Sequence, residues 1–232
     1  MIFDRSGRPG PRYLHGVVLP ALAVWALGAV SPHVIDFDRD DVGSLPPDWE
    51  STMTRSGGDP QWQIAEDQTA PSRPNVLAQL SRDKTAGRFP LAVLRGVSFR
   101  DGEVSVRFKP VAGDVDQAAG LVWRYIDRNN YYIVRANALE NNVVLYKVEK
   151  GERTALAPRG LPSRSYGVKH EVPKMTWSEL KVSFADTIAT VYFNNERLFE
   201  VQDATFRNSG RIGLWTKADS VTHFDNFTFA GH

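Results

Sequence analysis

The chain has 232 residues, with 28 Lys and Arg against 27 Asp and Glu, and 42% of its residues are hydrophobic, a composition typical of a globular protein. A net charge of +1 argues against a polybasic nucleic-acid surface or an acidic disordered tail, because both need segregated charge. The absence of cysteine excludes disulfides, Cys-ligated zinc, iron–sulfur clusters and thiol nucleophiles.

The N-terminal segment has the pattern of an export signal. A short arginine-containing start precedes an apolar run over residues 13–30 that ends in small residues suited to signal peptidase. We therefore expect residues 1–31 to be a signal peptide and residues 32–232 to form one domain in the periplasm or outside the cell, with no membrane contact after the signal is removed. A retained membrane anchor is the alternative, because the run approaches the roughly 17 residues that a short spanning helix needs.

Apolar and polar side chains alternate through most of the chain after residue 100. In residues 103–109 (EVSVRFK), valine and phenylalanine alternate with polar residues, as in a strand with one buried face. Asn194-Asn195 predicts a tight hairpin, because asparagine tolerates positive φ. Helical periodicity is nearly absent, and only residues 203–205 could begin a single turn. Further strands are predicted at residues 120–125, 131–137, 143–148, 180–184, 188–193, 197–201, 211–216 and 222–229.

This pattern predicts an all-β fold. Each strand has an apolar side that must be covered, so about twelve short strands indicate two packed antiparallel sheets. A closed barrel is the alternative, because alternation fixes the faces of the strands but not which strands are neighbours.

The predicted strand at residues 131–137 carries polar groups on one face. Alternation places Tyr131, Arg135 and Asn137 on the same side. Guanidinium and amide groups offer the planar sets of donors that bind sugar hydroxyls, and a tyrosine ring can stack on a pyranose. Arg124 on the preceding strand is a further candidate for substrate binding. The competing interpretation is that the arginines form cross-strand ion pairs with nearby acids, namely Asp116, Asp127 or Glu140.

Residues near the C-terminus suggest a second polar group. Lys217 and Asp219 follow Trp215 at alternate positions, which would bring a cation and a carboxylate out beside an aromatic ring. Such a pair could act in acid–base catalysis, and Glu140 in the asparagine-rich turn is a third catalytic candidate. Trp215 is a candidate for sugar stacking. An exposed ion pair and a core tryptophan explain the same residues without a ligand.

Oxygen-rich clusters raise the question of a structural cation. Asp36, Asp38 and Asp40 occupy alternate positions and could share Ca²⁺ with Asp225 if the closing strand approaches the opening one. Solvent-exposed acids are the alternative. The histidines are isolated, so their spacing defines no transition-metal site and the metal ligands stay unknown.

Two stretches resemble one bacterial exported family. Residues 130–142 read NYYIVRANALENN, and residues 213–221 read GLWTKADSV before Phe-Asp-Asn-Phe at 224–227. They resemble the 3-keto-disaccharide hydrolase-like domain family, whose relatives include concanavalin A-like lectins, glucanases and laminin G domains. The resemblance covers residues 35–230 and implies a jelly-roll sandwich with a carbohydrate ligand outside the cytoplasm.

The resemblance implies either binding of a glycan or cleavage of a 3-keto-glycoside on the concave sheet. The ketone acidifies a neighbouring C–H bond, so elimination needs a base and an electrophile. Glu140 or Asp219 would be the base, and Arg135 or Lys217 would stabilise the enolate. The alternative function is a noncatalytic laminin G-like module that holds a protein or cell-surface partner through loops such as residues 157–173. That module would have a filled sheet rather than a pocket of about 300 Å³ or more.

Overall fold

A computed structural model describes residues 31–231, so all but the last residue of the expected signal peptide lies outside the described residues. The described chain is built from β-strands, and residues 203–205 form a turn instead of a helix, closed by the Thr205 amide donating to the Asp203 carboxylate at 2.8 Å. Between residues 31 and 231, no helix is long and apolar enough to cross a membrane.

The strands are β1 (His33–Ile35), β2 (Trp49–Thr54), β3 (Trp62–Glu66), β4 (Asn75–Gln79), β5 (Phe89–Phe99), β6 (Gly102–Ala112), β7 (Ala118–Asp127), β8 (Asn130–Asn137), β9 (Asn142–Glu149), β10 (Glu152–Ala155), β11 (Val168–Lys169), β12 (Ser178–Ala185), β13 (Ile188–Phe193), β14 (Glu196–Gln202), β15 (Gly210–Trp215) and β16 (Val221–Gly231).

The strands form two antiparallel sheets. The first has the order β14-β13-β12-β6-β16-β4-β3, with β1 added to β16. The second has the order β10-β9-β8-β7-β15-β5-β2, with β11 added to β9. The predicted sandwich is therefore confirmed, and the barrel alternative is wrong.

The main core lies between the two sheets. The alternation in β6 places Val104, Val106 and Phe108 inward, all with no solvent exposure. Trp123 on β7 faces them and stacks with the ring of Tyr132, 5.4 Å between centroids. Apolar strand faces thus meet across the sandwich and remove their side chains from water.

The second sheet is also buried on its other face, the one turned away from the first sheet, which we call the concave face. Strands β5, β7, β8, β9 and β15 are apolar on both sides, so alternate residues form a second core. Its members on these strands are Phe89, Leu91, Val93, Ala118, Val122, Tyr125, Tyr131, Ile133, Val144, Tyr146, Val148 and Trp215.

The two edges of this sheet approach each other and help to close the concave face. Strands β2 and β10 are the opposite ends of the sheet order. Arg55, directly after β2, nevertheless donates to Glu152 at 2.6 Å and to the Gly151 carbonyl at 3.2 Å, at the start of β10. The hydroxyl of Thr54 lies 2.7 Å from the hydroxyl of Tyr131. The middle of the concave face is therefore filled by the protein's own side chains.

Candidate functional site

Four of the eight predicted site residues meet at one corner of the concave face. Arg135 on β8 donates from Nη1 and Nη2 to the two carboxylate oxygens of Glu140, at 3.1 and 3.0 Å. Its Nη2 also donates to Asn142 Oδ1 at 2.6 Å. Asn137 and Lys217 complete the group, which we call the Glu140 corner and define as Arg135, Asn137, Glu140, Asn142 and Lys217.

Asn137 connects the two charged halves of the corner. Its amide nitrogen donates to Glu140 Oε1 at 3.2 Å and to Asp116 Oδ1 at 2.6 Å. The other oxygen of Asp116 lies 2.6 Å from Lys217 Nζ. The oxygen of Asn137 accepts the backbone amide of Leu139 at 2.9 Å, which fixes the turn that carries Glu140. Cation, carboxylate and amide therefore alternate through one hydrogen-bonded network.

The environment of Glu140 keeps its carboxylate ionised. Burial by itself would raise its pKa, but the hydrogen bonds and charge of Arg135, aided by Asn142 and Lys217, lower the pKa to about 2. The side chain is still 37% exposed. Glu140 is thus a fixed anionic acceptor that solvent or a ligand can reach, and a weak base at neutral pH.

Arg135 and Asn137 do not face solvent as the sugar-binding interpretation required. Both residues have no exposed surface. The ion pair between Arg135 and Glu140, the competing interpretation, is the arrangement found. These two side chains position Glu140 and are themselves covered.

Asp219 has a structural position, and the expected exposed pairing with Lys217 is wrong. Its carboxylate accepts the backbone amides of Asp114, Val115 and Asp116 at 2.8, 3.1 and 3.0 Å, and the residue is 2% exposed. Burial by itself would raise the pKa of Asp219, but these backbone hydrogen bonds outweigh that effect, and the pKa lies below its usual value. Asp219 fixes the loop that presents Asp116, and Lys217 pairs with Asp116.

Arg124 lies apart from the corner. It has a left-handed φ of 47° where β7 is irregular, and it is 3% exposed. Its guanidinium donates to the carbonyls of Arg100, Phe206 and Asp186 at 3.0, 2.7 and 2.7 Å, and to the Asp101 carboxylate at 3.2 Å. Arg124 therefore joins three loops, and its predicted contact with substrate is not available in this position.

Tyr131 and Trp215 pack in the core of the concave face. Neither is exposed, and burial raises the pKa of Tyr131. Trp215 stacks on Phe89 with 5.4 Å between centroids. The core position, the alternative for Trp215, is the one found, whereas the prediction that the Tyr131 ring is open to a sugar is wrong. Neither ring is free to stack on a sugar in this structure.

Sequence reasoning missed an aromatic residue at the corner. Tyr166 lies in the long segment between β10 and β11, is 50% exposed, and has its ring centroid 5.9 Å from the Arg135 guanidinium. Its hydroxyl bonds to that of Tyr146 at 2.5 Å. A single tyrosine in a polar loop has no periodic signal, so its position follows only from the folded chain.

The predicted approach of Asp225 to the opening segment is found, without a metal site. Ser72 bridges the two acids, because its amide donates to Asp225 at 2.7 Å and its hydroxyl donates to Asp38. Burial, followed by the charges of Asp38 and Asp36, raises the pKa of Asp225 to about 6. Within residues 31–231, no group of three or more His, Cys, Asp or Glu is arranged to hold a metal ion, so the possibility that these acids share Ca²⁺ gains no support.

Two open clefts flank the segment between β10 and β12. One, of about 660 Å³, is lined by Ala138, Asn141 and residues 169–174. The other, of about 620 Å³, is lined by residues 158–161, Val168 and residues 197–200. Both clefts therefore lie beside the loops that flank this segment.

No protein-family model matches the sequence, and no curated protein matches it. Among solved structures, the carbohydrate-binding module CBM66 from Bacillus subtilis is similar, with a TM-score of 0.57, 18% identity, and coverage of 78% of this chain and 93% of that one. Domain 4 of the GH43 extracellular arabinanase AbnA from Geobacillus stearothermophilus, in complex with arabinotriose, has a TM-score of 0.50, 15% identity, and coverage of 84% and 88%. The GH43 protein BlXynB from Bacillus licheniformis has a TM-score of 0.54, 16% identity, and coverage of 86% of this chain and 39% of that one. The chain therefore has a jelly-roll sandwich fold similar to that of these proteins, which confirms the lectin- and glucanase-like fold that the sequence resemblance implied.

Proposed function

We propose that the protein is an exported carbohydrate-binding sandwich that acts in the periplasm or outside the cell and binds its ligand at the Glu140 corner. The observation that carries this proposal is the carboxylate of Glu140, which Arg135 and Asn142 hold ionised while 37% of the side chain stays exposed. Both carboxylate oxygens already accept hydrogen bonds from Arg135 and from Asn137 or Asn142, so a sugar hydroxyl would share the exposed edge of this acceptor. An acceptor fixed in advance loses little conformational entropy on binding. Tyr166, half exposed beside it, offers a ring to the apolar face of the sugar.

The fold supports the same function. The Geobacillus arabinanase domain is in complex with arabinotriose, and the Bacillus subtilis module is a carbohydrate-binding module. Sandwiches of similar shape thus serve sugar recognition in other proteins. Fold likeness suggests the ligand class, whereas the choice of sugar depends on the side chains of this chain.

Binding suits the corner better than catalysis does. Elimination from a 3-keto-glycoside would need Glu140 to remove a proton from carbon, and a carboxylate with a pKa of about 2 is a poor base. The carboxylate of Asp219 is already occupied by backbone amides. A 3-keto-glycoside is therefore proposed as a ligand to be tested, with turnover measured in the same samples.

The test compares glycan binding by the wild-type protein and two variants, first on a glycan array and then by calorimetry. Glu140→Gln and Tyr166→Ala should each weaken binding about tenfold or more, because one loses a charged acceptor and the other a stacking surface. Glu149→Gln is the matched control, since Glu149 is exposed at the far end of β9 and pairs loosely with Lys147. Binding that is absent in the wild type, or unchanged in both variants, would refute the proposal. Tyr166→Ala keeps the test decisive if Glu140→Gln fails to fold.

A noncatalytic interaction module is the second candidate, and the filled concave face favours it. Residues such as Ile133 and Val144 have no exposure there, so no deep sugar pocket opens at the sheet centre. A laminin G-like module would instead use loops such as residues 157–173. A blank glycan array, together with cell-surface binding that is lost when residues 159–165 are replaced by a Gly/Ser segment, would support this function over the first.

A further inference from the structure

Arg153 is a cation held against aromatic rings on the concave face. It lies on β10 opposite Val148 of β9, and its side chain reaches over the second core. The centre of its guanidinium is 4.7 Å from the ring centroid of Phe89, 4.4 Å from that of Tyr146 and 5.6 Å from that of Trp215. Three rings therefore fix one guanidinium in place.

Arg153 differs from the other arginines of this face in its lack of an acidic partner. Arg55, on the same Phe89 ring, pairs with Glu152 at 2.6 Å, and Arg135, on the same Tyr146 ring, pairs with Glu140 at 3.0 Å. Among the described residues, no carboxylate forms an ion pair with Arg153, and its Nη1 is buried without a hydrogen-bond partner. A covered cationic N–H group without an acceptor is costly, and native structures seldom retain one.

One more donor on this face lacks a hydrogen-bond partner. Arg135 Nε is buried without an acceptor, and Arg135 has no exposed surface. Both unpartnered groups are donors, so the missing partner is an acceptor. Arg153 itself is partly exposed, and Nη1 is the one side-chain nitrogen of this residue that is buried without a partner, so a ligand would reach the guanidinium through Nε and Nη2 at the rim of the face.

The charges around the corner indicate how such a ligand would lie. Glu140 is anionic, so it would repel a carboxylate and accept hydroxyl groups instead. Arg153 is cationic and planar, so it matches a carboxylate in a two-point contact. The guanidinium centres of Arg135 and Arg153 both lie within 6 Å of the Tyr146 ring centroid. The Glu140 corner, which would bind hydroxyl groups, is therefore close to Arg153, which would bind the carboxylate.

From this juxtaposition we propose that the protein recognises acidic sugars, namely glycans containing uronate residues, with the uronate carboxylate on Arg153 and the sugar hydroxyls at the Glu140 corner. This inference rests on the proposed carbohydrate-binding function and specifies its ligand class. A sulfated glycan would present the same kind of anion, so it forms a separate arm of the test.

The experiment measures binding of oligogalacturonate and oligomannuronate against their carboxyl-reduced counterparts, which have the same linkages without the charge. The wild-type protein should prefer at least one uronate oligomer about tenfold or more, with affinity that falls as salt is added. Arg153→Gln should lose this preference and the salt dependence while keeping its affinity for the reduced form. Arg197→Gln is the control for general charge loss, because Arg197 lies on β14 of the opposite sheet and is 60% exposed.

The outcomes separate this inference from the function on which it rests. Equal affinity for uronate and reduced oligomers overturns the acidic ligand while leaving carbohydrate binding intact, as does an unchanged preference in Arg153→Gln. Tighter binding of sulfated than of uronate oligomers also overturns it. Absence of binding to every glycan removes both proposals. If Arg153→Gln fails to fold, Arg153→Lys replaces it, and it should retain salt dependence but lose most of the preference, because a lysine lacks the planar fork.

Discussion

Asp225 should make the stability of this protein depend on pH in a direction opposite to that of most carboxylates. It has no exposed surface, and burial together with the charges of Asp38 and Asp36 raises its pKa to about 6 from 3.8. A group whose pKa is raised on folding favours the folded state fully below its unfolded pKa, and this contribution is lost as pH rises through the folded value. Folding at pH 8 therefore bears the cost of ionising a buried acid.

The magnitude follows from the size of the shift. About two pKa units at 1.36 kcal/mol each correspond to roughly 3 kcal/mol between pH 4 and pH 8. Asp225→Asn removes the titration and keeps the shape. Because all other titratable groups are the same in both proteins, the difference in unfolding free energy between the wild type and the variant reports the pH-dependent contribution of Asp225 alone. We expect this difference to shift by about 3 kcal/mol in favour of the variant between these pH values.

Urea unfolding followed by tryptophan fluorescence at several pH values measures this difference. Asp83→Asn is the comparison, because the hydrogen bonds of Asp83 to Thr85 and Gly58 lower its pKa to about 2. The difference in unfolding free energy between the wild type and Asp83→Asn should stay constant from pH 8 to about pH 4 and shrink only at lower pH. A wild-type minus Asp225→Asn difference that stays flat between pH 4 and 8 would show that the buried carboxyl is not protonated near neutrality.

Three substitutions test the structural roles of other residues. Arg124→Met should lower the unfolding free energy by about 3 kcal/mol in urea titrations, because the carbonyls of three loops lose their donor, while glycan binding is retained. Asp219→Asn should cost about 2 kcal/mol, seen as a lower melting temperature, because an amide donor would meet the backbone amides of residues 114–116. Gly213→Ala should cost about 1–3 kcal/mol in the same assay, because a Cβ atom would lie 2.4 Å from the Ala92 carbonyl oxygen. A neutral result for any of the three would contradict the role assigned to it.

The sequence predicted β6 from its polar face, and it predicted β7, β8 and β9, which are buried on both faces, from apolar runs separated by turn-rich segments. Residues 103–109 alternate cleanly, and they form part of β6. Strand β4 and the first half of β5 are buried on both faces, so the period-two signal disappears and neither strand was located. Short edge strands such as β10 and β11 have too few residues to show a period.

The sequence identified several residues of the candidate site, but it did not determine which of them contact one another or face solvent. Alternation correctly grouped Arg135 with Asn137, yet the same pattern fits a ligand-facing arginine and one paired with Glu140. Closure of the concave face depends on Arg55 reaching Glu152, a contact across 97 positions that no local pattern encodes. The lack of an acidic partner for Arg153 was likewise not visible in the sequence.

The tie between β2 and the start of β10 has a consequence for self-association. An open sheet margin presents unpaired backbone groups that can template the addition of a strand from another molecule. Arg55 joins the two edges of one sheet through a side chain and a backbone carbonyl, so a strand added at that end would have to displace these contacts. Polymerisation through strand addition is therefore disfavoured there.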